Sequence, residues 1–181
     1  GIDADPIHLN FDGYQYKIIN ETETTFFPWF RGVATGTFTS QGGANEGWAD
    51  GVNSGTTAIR IGDTGLRPCA GLVSFDTSDI PDGATVTAAS LYLIRDALTG
   101  TDFFSTGAAG TPVVDVKRGS FGAAAVEPAD LTAPADAPAS GYVVGSAKSD
   151  GYAIRVELTG AALAAINDQG LTQVRIAFPT L

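Results

Sequence analysis

From Thr56 onward the chain alternates apolar and polar residues with a period of two, in short runs separated by Gly, Pro and Asp. This is the pattern of half-buried β-strands joined by turns. In TTAIRIGD, Ile59 and Ile61 share a face opposite Arg60, and in CAGLVSFD, Cys69, Val73 and Phe75 oppose Ser74 and Asp76. DIPDGATVTAASLYLIRD predicts a turn at Pro81, Asp82 and Gly83. A strand follows in which Ala89, Leu91 and Leu93 alternate with Ser90, Tyr92 and Ile94; both faces are apolar enough for a central strand. Three more half-buried strands follow: Val114 and Val116 against Asp115 and Lys117; Ile154, Val156 and Leu158 against Arg155 and Glu157; and Val174, Ile176 and Phe178 inward. Many short strands with frequent turns predict an all-β antiparallel sandwich.

One helix interrupts the pattern, over residues 160–168. Thr159 is placed to cap its first amides, Leu163 and Ile166 form an i,i+3 apolar pair, and Gly170 stands where a terminating glycine belongs. The Ala- and Pro-rich stretch 123–140 has no period and reads as a long surface connection between two strands of one sandwich. The first part of the chain differs in texture: HLNFDGYQYKIIN suggests a hairpin-like strand pair, and TTFFPWFRGVATGTFTS gathers aromatics around Pro28. The chain therefore divides into an N-terminal arm or extra β layer, 1–45, and a sandwich, 46–181.

Composition agrees with this and narrows function. A chain of 181 residues can bury one core without disulfides, and 44% hydrophobic with 17% charged residues excludes a disordered solvating chain. A net charge of -10 without a basic cluster excludes nucleic-acid binding. No run of residues is long and apolar enough for a membrane helix, and no signal-like segment opens the chain, which reads as a mature product. The lone Cys69 has no disulfide partner and reads as a small core residue.

Candidate chemistry is sparse. The single histidine, His8, lies outside the sandwich pattern, so a Ser-His-Asp or Cys-His arrangement would depend on the terminal arm. Asp76, Asp79, Asp82 and Asp168 sit in or beside turns, where Asp hydrogen-bonds locally, and no catalytic residue is assigned. NEGWADGVNSG and FDTSD are oxygen-rich and make Asp50, Asp76 and Asp79 candidate calcium ligands, although neither has EF-hand spacing. Tyr14, Tyr16, Trp29, Trp48, Phe103 and Phe104 fall outside the core faces as a candidate sugar-stacking set; packing is the competing use for Phe26, Phe27, Trp29 and Phe30. Asn20-Glu21-Thr22 fits the glycosylation acceptor pattern.

Three segments in order, IRIGDTGLRPCAGLVSFDTSDIPDGATVTAASLYLIRDALTG, PVVDVKRGSFG and ELTGAALAAINDQGLTQVRIAF, resemble the DNRLRE (disaggregatase-related) domain family from about Glu46 to the C-terminus. FDTSDIPDGATVTAASLYL is the most specific piece, with Asp76 and the Pro81 to Ala84 corner at matching positions. The resemblance implies a jelly-roll-like sandwich used as an accessory module of secreted or cell-surface proteins, some of which bind polysaccharides. An acidic, Lys-poor composition agrees with that location. The family domain continues past the position of Phe178 to a closing strand or hairpin, whereas this sequence stops at Leu181. Losing about three inward side chains at ~2 kcal/mol each matters against a domain stability of roughly 5–15 kcal/mol. The chain's own N-terminal segment, a neighbouring subunit's strand or further residues would have to replace it.

The expectation is a non-catalytic extracellular structural or adhesive protein. It would self-associate, as a filament or surface-layer subunit by strand exchange, through Ile7, Leu9, Phe11, Ile18, Phe26, Phe27 and Phe30. The alternative is a carbohydrate-binding module using Trp29, Trp48, Tyr14 and Tyr16. The expected partners are copies of the chain or a polysaccharide.

Overall fold

Alternating apolar residues commit each run to one buried face, and in the computed structural model these runs pair antiparallel throughout. The structure describes residues 3–20, 23–38, 40–63, 65, 67–107, 109–144 and 149–179, and the backbone alone for 3–20, 23–37 and 105. The strands are β1 (Asp3–Asn20), β2 (Glu23–Phe38), β3 (Gly47–Ala49), β4 (Ser54–Gly55), β5 (Gly62–Asp63), β6 (Pro68–Asp76), β7 (Thr85–Ile94), β8 (Val113–Arg118), β9 (Ala137–Val144), β10 (Ala153–Leu158) and β11 (Leu171–Ala177). Two short helices join them, α1 (Phe103–Thr106) and α2 (Gly160–Ala165). The pairing order is β2-β1-β7-β10-β9-β8-β11-β6-β3-β4, with β5 on β6.

This path folds into an all-β sandwich because β9 belongs to both layers. Its first half pairs with β8, through Val116↔Ala137 and Val114↔Gly141, and its second half with β10, from Gly141↔Leu158 to Val144↔Arg155. Between them the β8 register slips, Ala139 takes a left-handed φ of 49°, and its amide donates to Asp115 Oδ1 at 2.8 Å. A bulge of this kind bends a strand from one sheet into the next. At the pivot the three strands approach so closely that a Cβ on Gly141 would lie 3.0 Å from Val114 Cβ and 3.1 Å from Leu158 Cδ2. The core lies between the layers, with Leu91, Leu93, Ile154 and Val156 from one and Val73, Phe75, Val114, Val116, Val174 and Ile176 from the other.

Several local expectations change. Ile59 is buried and Ile61 packs on the core, yet only Gly62–Asp63 pairs as a strand there. Ser74 and Asp115 are buried, so β6 and β8 are covered on both faces. The covering element is the connection 119–136, whose Phe121 and Val126 form a second apolar cluster with Leu72 and Ala49. Residues 137–140, read in the sequence as the end of the connection 123–140, belong to β9, which Pro138 and Gly141 disguise in the sequence, since both disfavour strand interiors. The helix is shorter than 160–168, and the Thr159 hydroxyl donates to Ser140 O at 3.0 Å instead of capping. Its C-terminal carbonyls accept from Arg118, through Ala164 O at 3.3 Å and Ile166 O at 3.0 Å, while Gly170 lies in the turn into β11. Cys69 is buried, and burial pushes its thiol up to about 11.

Candidate functional site

β1 and β2 form a long antiparallel hairpin built from Thr-, Tyr-, Phe- and Ile-rich sequence that favours extended backbone. The first part of β1 extends the sandwich by pairing with β7 of the same chain, from Asp3↔Ile94 to Asp12↔Thr85. Thr85 is the first residue of β7, so 13–20 pair with β2 alone among the described residues. At ~3.3 Å per residue this two-stranded arm is about 26 Å long. The β1–β2 ladder breaks between Tyr14↔Gly32 and Tyr16↔Phe27, leaving 28–31 of β2 opposite Gln15 alone. A proline removes a ladder donor, which suits Pro28 to such a bulge.

Most of the expected association residues lie on this hairpin. Ile7 pairs with Phe38, Leu9 with Gly36 and Ala89, Phe11 with Ala34 and Val86, Ile18 with Thr25, Phe26 with Lys17 and Phe27 with Tyr16. Phe30 and Trp29 fall in the bulge. β2 is thus a 16-residue edge strand, while the opposite end of the sheet stops at the two residues of β4. A long edge leaves a row of amides and carbonyls without ladder partners, a template for another strand.

The remaining candidates are dispersed. Tyr14 and Tyr16 are in β1, but Trp48 is half-buried in β3 with the Arg60 guanidinium 4.9 Å from its ring centroid. Phe103 and Phe104 pack edge-on against Phe178, at 5.6 and 4.9 Å between centroids. Asp50, Asp76 and Asp79 do not come together, and among the described residues no group of three His, Cys, Asp or Glu is placed to hold a metal. Asp50 closes its own turn, accepting from Asn53 N at 2.6 Å and Val52 N at 2.9 Å, and these amides hold its carboxyl below the usual value. The Asp76 carboxyl is likewise lowered, by the Ser78 hydroxyl and then its amide, and Asp79 is exposed. Asp168 accepts from Gly83 N at 3.2 Å and Asp82 from Gln169 Nε2 at 2.6 Å, tying two turns together. The acceptor triplet Asn20-Glu21-Thr22 lies partly outside the described residues, as does Leu181.

The outer face of the first layer is open, with Tyr142 and Val144 exposed beside Arg155 and Glu157, which form an ion pair. One row across this face runs Tyr142, Glu157, Ser90, His8. Ser90 donates to Glu157 at 2.8 Å, and His8 stands on the far side of the serine. An acyl-transfer triad needs the histidine between serine and acid, so this row has the wrong order. A groove of about 520 Å³ between α2 and the start of β7 is lined by Val86, Leu163 and Ile166, with Arg118 and Asp168 paired at its rim at 3.1 Å.

Compared with family models, curated proteins and solved structures, the chain finds no significant match.

Proposed function

We propose that this chain is a non-catalytic structural or adhesive β-sandwich module that associates with copies of itself through the free edge of β2. The observation that carries this reading is the asymmetry of the sheet: among the described residues a 16-residue strand at one end pairs only with β1, while two residues form the other end. Edge-to-edge pairing satisfies such a row directly. Charge favours the same place. The chain carries a net -10, yet β2 contains only Glu23 and Arg31 as charged residues, so two copies meet there with least repulsion. The acidic, Lys-poor composition and the resemblance to DNRLRE domains support a secreted or cell-surface setting. Polysaccharide binding through Trp48 draws less support, since Arg60 already lies over its ring.

Sedimentation velocity across a concentration series tests the reading. The wild-type mass should rise with concentration, whereas Thr25→Lys with Trp29→Lys, which charges the edge, should stay monomeric with unchanged far-UV circular dichroism and thermal unfolding. A wild-type chain that remains monomeric at every concentration would sink it.

A further inference from the structure

The segment 23–31 of β2, ETTFFPWFR, is complementary in charge to its own reversal. Laid antiparallel on a second copy about Phe27, position 23 faces 31, 24 faces 30, 25 faces 29 and 26 faces 28. The only two charged residues of the strand, Glu23 and Arg31, are opposite in sign and stand equally far from Phe27, so this register opposes them twice. It also sets Thr24 and Thr25 opposite Phe30 and Trp29, and β-branched with aromatic is a favourable cross-strand combination. A full-length antiparallel overlap would instead set Glu23 opposite Phe38 and Arg31 opposite Phe30, with no charge pair.

The backbone points to the same centre. Residues 23–27 are already held by β1, from Asn20↔Glu23 to Tyr16↔Phe27, whereas 28–31 lack β1 partners. The two-fold register lays each copy's 28–31 against the other's 23–26 along the outward edge, where the proline at 28 donates no hydrogen bond and the remaining outward-facing amides and carbonyls gain ladder partners.

On the strength of the self-association reading, we infer that the assembly is a closed two-fold dimer in which β2 pairs antiparallel with β2 of a second copy about Phe27. A two-fold interface uses the same segment, 23–31, on both copies and occupies it in each, so growth through it stops at two. The other end of the sheet, β4, is too short to continue it.

Charge reversal in the full chain tests the register. Glu23→Arg or Arg31→Glu alone places like charges opposite one another twice and should weaken the dimer about tenfold at low salt; the double variant should return to within about threefold of wild type. A Phe27→Cys variant should oxidise to a covalent dimer and Thr37→Cys should not, with the buried Cys69 and its thiol near 11 giving no competing reaction. Single reversals without effect, or a double variant that does not recover, would overturn the register; the edge reading would still stand if the Lys variant abolished association. Growth beyond two copies would overturn the closed dimer, and a monomer at all concentrations would overturn both.

Discussion

Two segments are added to the core strands, the connection 119–136 and the N-terminal hairpin, and they are attached by different means. The connection is hooked by side chains from the sheet beneath it. Arg175 on β11 binds Asp115 Oδ2 through Nε at 3.0 Å and Nη2 at 2.5 Å, donates through Nη1 to the carbonyls of Asp130 and Ala133 at 2.6 and 2.8 Å, and its guanidinium lies 4.3 Å from the Phe121 ring centroid. Gln173 Oε1 accepts from Phe121 N at 2.8 Å, and its amide reaches Asn45 O at 3.0 Å. The described pairings of the hairpin are backbone ladders, with β7 over 3–12 and thereafter only between its own strands. A segment gripped by buried side chains becomes part of the domain and seals the face it covers. One held by a backbone ladder, with Phe38 at its end packed into the core, keeps its outer edge available.

The sharpest way to break this contrast is to remove the hook. Arg175→Ala leaves Asp115 buried without its cation, and urea denaturation should show a loss of about 3–5 kcal/mol. Amide exchange at 121–135 should rise before the core strands respond. Adding Asp115→Ala should recover part of the loss, because no orphan charge then remains. A cost below about 1 kcal/mol for Arg175→Ala would mean that apolar packing on Leu72 holds the connection instead.

A smaller effect is expected at Gly122, where a Cβ would come within 2.4 Å of Asp130 Oδ1 and 3.1 Å of Glu127 Oε1. Gly122→Ala should cost about 1–3 kcal/mol by thermal unfolding, and neutral behaviour would show a connection looser than the hairpin comparison requires.

The smallest expected effect is a pH dependence. Burial, then the Glu127 charge, raises the Asp130 carboxyl above the ordinary 3.8, against the opposing pull of the Glu127 amide and Arg175. Its protonated form is therefore favoured in the fold. That contribution is fully present below 3.8 and is lost as pH rises through the raised value. Asp136 and Asp168 act oppositely: the Lys117 ammonium lowers the first and the Gly83 amide the second, so their stabilisation is present above 3.8 and lost as pH falls. Asp130→Asn keeps an acceptor for the Glu127 amide but cannot ionise, so its stability relative to wild type should grow as pH rises from about 3.8. A difference that is flat with pH would show that Asp130 does not report on the seal.

Much of the sandwich was legible where the period of two was clean. Ala89, Leu91 and Leu93, and Ile154, Val156 and Leu158, are buried as the alternation requires. β9 was hidden because its pairing depends on a bulge at Ala139 and a close approach at Gly141, neither of which alternation reports. The side-chain cap expected of Thr159 is not made, its hydroxyl instead donating to Ser140 O, and Arg118, 46 residues from Ala164, caps the other end. For the candidate site, the aromatic crowding around Pro28 falls on β2, and the two-stranded reach of the arm follows from where β7 begins, which no local pattern reports.

The sequence alone therefore determined which side of most strands turns inward, because a strand's alternation is local and each residue carries its own preference for water or core. The tertiary structure decided which outward faces are covered, that β9 joins the two layers, and that the hairpin pairs with its own β7 while leaving β2 as an edge. These outcomes rest on partners far apart in the chain, up to the 128 residues between Asn45 and Gln173, and no local pattern encodes a contact whose other half is so distant.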